Sequence, residues 1–462
     1  MTHRLREDRV GWLYLIPITL SILIAIQIAL TTDFNIHPDE AIHVDAMCYF
    51  ESHWWPPALN QDGLLYSPDG WSRVYNGEMV YLLYGKMGAW IKPIATAAFN
   101  ANAITSAIPS RRHSIFLPVV FLSGRCTTIY QIYRLLNVLL LGLTLLFLFL
   151  SGRKHVLVAI VGLTLLCIPQ VLYIYSYANS DAWGLSVSIF LSIFLLATPI
   201  PIGSSRYGVA LGVLIGVLLL SKATFWLSLS WAIVLIGSRY VQQQKDEASS
   251  LSSKQMRTGL GLFVITVFLI VAPLKLIYPL SQDNWNAQTE QMREIRSRED
   301  YRPNAPTNEG YRLASRGESI NFVINDSFWL RRSMQSFYGV FGYMDVNLPN
   351  WIYFTALALG LLNIGLTIGV AWHHWPLLGH STKSLLVAAP FAILLTVGAS
   401  IYNSWTYDVQ PQGRYLFSSL LPLAILLAGT VYVENRWCVL LRVMSWVGGY
   451  ALCVYVLLNF AV

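Results

Sequence analysis

Long apolar runs separated by short polar segments dominate the hydropathy pattern of this 462-residue chain. A helix that crosses the hydrocarbon core of a bilayer needs about 20 mostly apolar residues. Eleven runs approach that length, near 10–30, 130–150, 156–174, 182–201, 207–221, 223–238, 258–279, 351–372, 384–401, 413–432 and 438–460. The pattern therefore predicts an all-α polytopic membrane protein with about 11 transmembrane helices.

Two long polar segments interrupt the apolar pattern and divide the chain into three parts. Residues 1–279 form an N-terminal transmembrane module whose first loop covers 31–127. Residues 280–349 form a second long loop, and residues 350–462 form a C-terminal transmembrane module.

The composition agrees with a membrane protein, since hydrophobic residues make up 55% of the chain and charged residues only 12%. An average soluble domain has roughly 25% charged residues. A soluble enzyme, a nucleic-acid-binding module and a disordered scaffold are therefore excluded, and no nucleic-acid partner is expected. Scattered cysteines without metal spacing are expected to be small buried hydrophobes rather than a disulfide framework, namely Cys48, Cys126, Cys167, Cys438 and Cys453.

The distribution of Lys and Arg predicts the orientation. With the N-terminus inside, the short inner segments and Arg442 hold 13 Lys/Arg and 5 Asp/Glu, whereas the rest of the chain holds 18 and 19 over far more loop sequence. Basic residues in short loops face the cytoplasm. Both long loops are therefore expected on the extracytoplasmic side, where the short polar segments near 179–181, 221–222 and 402–412 also open. Polar groups gathered at one face indicate a site at the outer membrane boundary rather than a transport path.

The densest group of chemically active residues directly follows the first apolar run, at His37-Pro-Asp39-Glu40 and His43. Proline suits the first position of a helix and acids suit its first turn. A helix that begins there would carry Asp39, Glu40 and His43 on one face close to the membrane. This arrangement suits a general base, and it equally suits a plain helix start with solvated acids. Asp39, Asp45 and a histidine also have the donor types for a divalent cation such as Mg²⁺ or Mn²⁺.

Polar residues at the outer ends of later runs extend the candidate site. Asp181, in Asn-Ser-Asp181, is either a helix cap or a site acid, because an acid between two spans needs water or a partner. Lys222 lies at a membrane boundary, as an anchor or as a ligand for a lipid phosphate. Arg414 begins the tenth run, and its planar guanidinium suits a phosphate. An ion pair between Arg414 and Asp408 is the structural alternative.

Together these residues resemble the membrane glycosyltransferases of the C-type fold (GT-C), which use polyprenyl-phosphate sugars. The acid pair after the first span carries the resemblance. Four further islands resemble a bacterial branch of that superfamily known only as predicted membrane proteins of unknown function: Asn-Ser-Asp181, Ser-Lys222, Phe341-Gly-Tyr-Met-Asp-Val-Asn-Leu-Pro-Asn-Trp351 and Gln-Gly-Arg414-Tyr415. Tyr343 stands where that branch would have tryptophan, and Asp408-Val-Gln-Pro intervenes before the last island.

The resemblance implies an inverting transfer of a sugar from a polyprenyl-phosphate donor to a glycan, lipid or protein acceptor outside a bacterial inner or plasma membrane. It makes Asp39 the general base, with Glu40 sharing that role or orienting the acceptor. Lys222 and Arg414 would stabilise the charge left on the polyprenyl phosphate. The implied substrate-binding residues are His43, Asp181, Lys222, Arg414 and Tyr415. A lipid-glycan flippase or other transporter, and a glycan polymerase or ligase with a pyrophosphate-linked donor, remain alternatives.

The predicted topology can be checked by chemical labelling. In a variant without native cysteines, single cysteines introduced at Asn60 and at Asn304 should both react with a membrane-impermeant maleimide in whole cells. Both positions lie in the predicted outer loops. Reaction of only one of them before lysis would contradict the eleven-span orientation.

Overall fold

The computed structural model describes residues 2–100, 120–122, 126–152, 155–198, 200–245, 253–304 and 312–461. Almost all regular structure in these ranges is helical. The strands found there form two short antiparallel pairs, Val120–Leu122 (β1) with Cys126–Thr128 (β2) and Val340–Phe341 (β3) with Val346–Asn347 (β4). The described part of the chain is therefore almost entirely α-helical, as expected for an all-α membrane protein.

Helices α1 to α10 precede the second long loop. Their bounds are Thr2–Thr31, Glu40–Ser52, Met79–Asn100, Gln131–Gly152, Val156–Leu166, Pro169–Ile174, Asp181–Ala197, Ser205–Leu219, Ser228–Lys245 and Ser253–Ala272. A π-helical turn, Pro273–Ile277, continues α10 into α11, Tyr278–Leu280.

Helices α12 and α13 lie in the second loop, and α14 to α17 form the C-terminal part. Their bounds are Trp285–Arg296, Trp329–Tyr338, Asn350–His374, His380–Thr406, Leu420–Ala428 and Arg436–Phe460. Short 3₁₀ helices precede α9 at Ala223–Leu227 and α16 at Gly413–Ser419.

Six helices of the described residues are long and apolar enough to cross a membrane: Gln131–Gly152, Ala223–Val241, Lys254–Leu280, Asn350–Leu377, His380–Thr406 and Arg436–Phe460. Four shorter apolar helices coincide with further predicted runs, at Leu15–Thr31, Asp181–Ala197, Ser205–Leu219 and Gly413–Ala428. The described residues thus include several helices that could cross a membrane, and the number eleven stays a prediction.

The predicted run 156–174 is not one helix. Helix α5 ends at Leu166, and α6 begins at Pro169 after an extended Ile168. Proline cannot donate the hydrogen bond that would continue α5, and it disfavours helical backbone at the residue before it. The break turns the chain so that α6 leads into the polar segment before α7.

Both long loops contain helices. In the first loop, α2 packs closely on α3, and Gly85 makes this approach possible, because an added Cβ would lie 2.5 Å from the carbonyl oxygen of Met47. The loops also contact each other. Arg296, at the end of α12, donates to Asn60 Oδ1 at 2.7 Å and to Asp62 Oδ1 at 2.6 Å.

The polar ends of several helices meet at one end of the bundle. Arg134, at the start of α4, donates to the carbonyl oxygens of Ala29 and Thr32 at the end of α1. Met79, the first residue of α3, donates its backbone N–H to the carbonyl oxygen of Leu220, just after α8. Lys275 Nζ, in the π-helical turn, lies 2.5 Å from the carbonyl oxygen of Asn76. This convergence brings distant sequence segments into one polar region.

The prediction for the cysteines is wrong for Cys48, which lies in α2 and is disulfide-bonded. The thiols of Cys167, Cys438 and Cys453 are free, as predicted for cysteines outside a disulfide framework. Cysteine spacing along the chain does not reveal a bond between segments that only the fold brings together.

Candidate functional site

Asp39 occupies a strained turn between α1 and α2. The sequence predicted a helix start at Pro38, but α2 begins at Glu40 and Asp39 precedes it with φ +58°. Left-handed backbone at a non-glycine residue costs about 1–3 kcal/mol and is typical of functional sites. Aspartate tolerates it better than most residues. The turn separates the neighbouring acids: Asp39 remains partly open, whereas Glu40 is buried.

Positive side chains from two distant segments approach the Asp39 carboxylate. Its Oδ2 lies 3.5 Å from Nη2 of Arg73 and 3.8 Å from Nη2 of Arg414. The Tyr343 hydroxyl, on the β3–β4 turn, donates to Oδ1 at 3.4 Å. The Asp39 side chain is 29% exposed, so one side of the carboxylate stays open to a ligand.

Asp181 connects the two cations that the sequence singled out. Its carboxylate is fully buried at the start of α7, where Lys222 Nζ donates to Oδ1 at 2.8 Å. Nη1 of Arg414 lies 3.5 Å from the other oxygen, Oδ2. The structure therefore brings Asp39, Asp181, Lys222 and Arg414 together from four segments.

Arg414 is held from several directions. Its Nε donates to the amide oxygen Oε1 of Gln412 at 2.6 Å, and its Nη1 donates to the Tyr177 hydroxyl at 3.4 Å. The Tyr415 ring faces both cations, 5.6 Å from the guanidinium of Arg414 and 4.9 Å from Nζ of Lys222. The acid partners of Arg414 within the described residues are thus Asp39 and Asp181.

Asp408, the alternative partner of Arg414, makes a different contact. Its Oδ2 accepts a hydrogen bond from Nε2 of Gln410 at 2.5 Å. Burial raises the pKa of the Asp408 carboxyl, and the nearby carboxylate of Asp69 raises it further. Arg414 is therefore turned toward the other acids and not toward its sequence neighbour.

Three positively charged side chains lie close together in the site. We refer to Arg73, Lys222 and Arg414 as the cation cluster; the carboxylates of Asp39 and Asp181 contact it, and the carboxylate of Glu78 lies near Arg73. Nε of Arg73 is buried without a hydrogen-bond partner, which leaves a donor unsatisfied. Burial makes an unpaired cationic donor costly. The arrangement therefore suits an anionic ligand.

Glu40 lies in a different environment from Asp39. Arg134 binds it with two parallel hydrogen bonds, Nε to Oε1 at 2.7 Å and Nη2 to Oε2 at 2.8 Å, and both side chains are fully buried. The Asn35 N–H also donates to Oε2 at 3.0 Å. The expectation that Glu40 shares the base role does not fit this geometry, because both of its oxygens are already occupied.

His43 is buried beside the cation cluster rather than exposed. Its Nδ1 lies 2.8 Å from the Tyr81 hydroxyl, and the side chain is 2% exposed. Burial lowers the pKa of His43 well below its ordinary value, and the charges of Arg73, Lys222 and Arg414 lower it further. The imidazole is therefore neutral near pH 7 and adds no charge to the site.

The donor set does not favour a divalent cation. Asp39 faces arginines, and Oδ2 of Asp45 accepts the Leu65 N–H at 2.9 Å. Within the part of the chain that the structure describes, no group of three or more His, Cys, Asp or Glu side chains is arranged to hold a metal ion. These residues fit an anion better than Mg²⁺ or Mn²⁺.

Sequence reasoning missed Arg73 and the role of Arg134. Arg134 did carry a signal, since an ionisable residue at the start of an apolar run needs a partner. Arg73 begins a single 3₁₀ turn, Arg73–Asn76, in a long loop. No periodicity marks that position, so only the fold reveals its contact with Asp39.

A family profile described as predicted membrane protein (DUF2142) matches residues 119–427. The chain belongs to this family. The matched region includes Asp181, Lys222, Tyr343 and Arg414, whereas Asp39 lies before it. No curated protein and no solved structure matches the chain.

The Glu40–Arg134 pair generates a stability prediction. Glu40→Gln leaves the buried Arg134 charge without its counterion, and removal of one partner of a buried pair costs about 3–5 kcal/mol. Asp39→Asn, the adjacent control, removes a partly exposed acid from longer contacts and should cost less than about 1 kcal/mol. The free energy of unfolding in mixed micelles measures both. Equal stability of the two variants would contradict the structural role of Glu40.

Proposed function

We propose that this protein is an integral membrane glycosyltransferase that moves a sugar from a polyprenyl-phosphate donor to an acceptor hydroxyl on the extracytoplasmic side. One observation carries the proposal. A partly exposed carboxylate, Asp39, lies beside the cation cluster, in which Arg73 keeps a buried donor nitrogen without a hydrogen-bond partner. A base and an anion-binding group within one site are what this transfer requires. The resemblance to glycosyltransferases of the C-type fold supports the same reaction class.

The cation cluster would bind the phosphate of the lipid donor. Lys222 follows α8, and Arg414 precedes α16, so both lie where helix ends meet the membrane boundary. A lipid phosphate lies at that depth while its chain stays in the bilayer. Asp181 holds Lys222 and Arg414 in position through its two oxygens. The Tyr415 ring limits how far either cation can move.

Asp39 would act as the general base. Its carboxylate takes the proton of the acceptor hydroxyl while that oxygen forms a bond to the anomeric carbon of the sugar. The bond from this carbon to the phosphate oxygen breaks, and its electron pair leaves on the polyprenyl phosphate. Guanidinium and ammonium groups fixed in advance stabilise that charge without reorganisation. Attack opposite to the leaving phosphate inverts the anomeric configuration.

The remaining predicted residues support this site rather than react in it. Glu40 fixes the turn that presents Asp39, since Arg134 holds both of its oxygens. His43 fills the space behind the cluster as a neutral ring bonded to Tyr81. Tyr343 is placed to contact an incoming ligand, because the residue is 57% exposed and its hydroxyl reaches Asp39.

The disulfide bond of Cys48 supports an extracytoplasmic location for this site. Cys48 lies in α2, the helix that follows Asp39. Disulfide bonds persist in oxidising compartments such as the bacterial periplasm and the cell surface. With the charge distribution of the short loops, this favours a bacterial inner or plasma membrane with the site on the outer side.

A pyrophosphate-linked donor is the second candidate. The cluster presents donor groups from three separate side chains, and a diphosphate offers them more oxygens than a monophosphate does, which favours a polymerase or ligase reaction. A flippase or other transporter fits less well, because a transport path places polar groups near the bilayer midplane. The charged residues of this site gather at one end of the bundle.

The role of Asp39 can be tested by Asp39→Asn. Loss of a general base lowers turnover by about 100- to 10,000-fold. Donor affinity should change little, because the asparagine keeps the size of the side chain and removes no cation. Label transfer from a polyprenyl-phosphate sugar measures turnover, and a binding assay with the same donor measures affinity.

Asp408→Asn is the matched control for Asp39→Asn, since Asp408 pairs with Gln410 and not with the cation cluster. This variant should keep near-normal turnover. Near-normal turnover of Asp39→Asn as well would remove Asp39 from the mechanism.

Arg414→Lys tests the phosphate site. Lysine keeps the charge but cannot reproduce a planar guanidinium that contacts Gln412, Asp181 and Asp39 with different nitrogens. We expect a weaker donor affinity and a large loss of turnover. Arg296→Lys is the control, because that arginine binds Asp62 in the outer loops. Full activity of Arg414→Lys, measured as label transfer, would contradict phosphate binding by Arg414.

A further inference from the structure

A cavity of about 700 Å³ opens beside α14, and we call it the α14 groove. Its wall on α14 runs from Asn350 to Ile364, which corresponds to about 20 Å at 1.5 Å per residue. The hydrocarbon core of a bilayer is about 30 Å thick. The groove therefore reaches from the outer end of α14 well into the membrane.

The groove is polar at its outer end and mainly apolar below. Arg331 and Gln335 of α13 line it beside Asn350, the first residue of α14. Deeper along α14, the lining includes Phe354, Leu357 and Leu361, residues that are 70%, 48% and 58% exposed at the protein surface. These residues face the medium that surrounds a membrane protein, which is lipid.

The α14 groove is separate from the cation cluster. Helix α13 lies between them, with Arg331 and Met334 on the groove side. On its other side, Ser336 accepts the N–H of Gly413, next to Arg414. Phe337 also lines the groove, and its ring packs on Phe417, in the 3₁₀ helix that carries Arg414, at 5.5 Å between centroids. The α14 groove and the segment that carries Arg414 thus share α13 as a wall.

We propose that the α14 groove binds one acyl chain of an anionic phospholipid, with the phosphate at Arg331. Charge selects this occupant: a long apolar channel ends at an arginine where the headgroup of a bilayer lipid would lie. A basic residue near the membrane surface favours an anionic lipid by about 1 kcal/mol, which is a preference of about fivefold. The donor lipid is a different ligand, because its phosphate must reach the cation cluster on the far side of α13.

Photolabelling tests this site directly. Phosphatidylglycerol and phosphatidylcholine, each with a diazirine at the end of one acyl chain, are incorporated separately into nanodiscs with the full-length protein. After irradiation, mass spectrometry locates the labelled peptides. We expect labelling within 350–364 and 445–449, about fivefold stronger with phosphatidylglycerol. Arg331→Gln should bring the two lipids close to equal labelling.

Gly360→Phe fills the groove. An added Cβ at Gly360 meets no atom within 4 Å, so the ring enters the space without a clash with the protein. We expect labelling of the two peptides to fall by about tenfold, since the chain loses its packing contacts. Gly365→Phe is the matched control, because this glycine lies on α14, has equally open surroundings and does not line the groove.

The proposal is overturned if Gly360→Phe and Gly365→Phe label equally, or if wild-type protein labels equally with both lipids. It is also overturned if unlabelled polyprenyl phosphate at equal concentration displaces most of the phosphatidylglycerol label, since the groove would then belong to the donor lipid. The labelling of the wild-type protein, and its displacement by unlabelled polyprenyl phosphate, do not depend on whether any variant folds.

Discussion

The buried ion pair between Glu40 and Arg134 is the interaction on which the candidate site depends. Its two parallel hydrogen bonds join the start of α2 to the start of α4, and further bonds from Arg134 reach the end of α1. A pair without exposed surface is costly unless every donor has a partner. Here the guanidinium is satisfied by the carboxylate and by backbone oxygens. This pair fixes the chain around Asp39, so that the left-handed turn at Asp39 persists.

The fixed turn gives adjacent acids different properties. Glu40 is neutralised by its partner and shielded from ligands, whereas Asp39 faces Arg73 and Arg414 with one side open. The cations that converge there come from the first loop, the end of α8 and the start of the 3₁₀ helix Gly413–Ser419. Mutual repulsion would separate them without Asp39 and Asp181.

Much of this arrangement could be predicted from the sequence, because hydropathy and loop charges identify the membrane helices and the ends at which polar residues gather. Asp181, Lys222 and Arg414 were identified in this way, and the structure brings them into contact. The distinction between Asp39 and Glu40 could not be predicted, since it depends on Arg134, 94 positions away from Glu40. Arg73 could not be predicted either, because its position follows from how one 3₁₀ turn packs in a long loop.

The most direct test of the proposed function is a transfer assay with purified protein. Polyprenyl monophosphate and polyprenyl diphosphate donors that carry the same radiolabelled sugars are supplied separately with membrane lipid extract as acceptor, and thin-layer chromatography follows the label. The proposed site predicts that label leaves the monophosphate donor for a second species and releases polyprenyl phosphate. If the label stays on both donors and the donors only move from one leaflet of the bilayer to the other, the result contradicts glycosyl transfer and indicates a transporter.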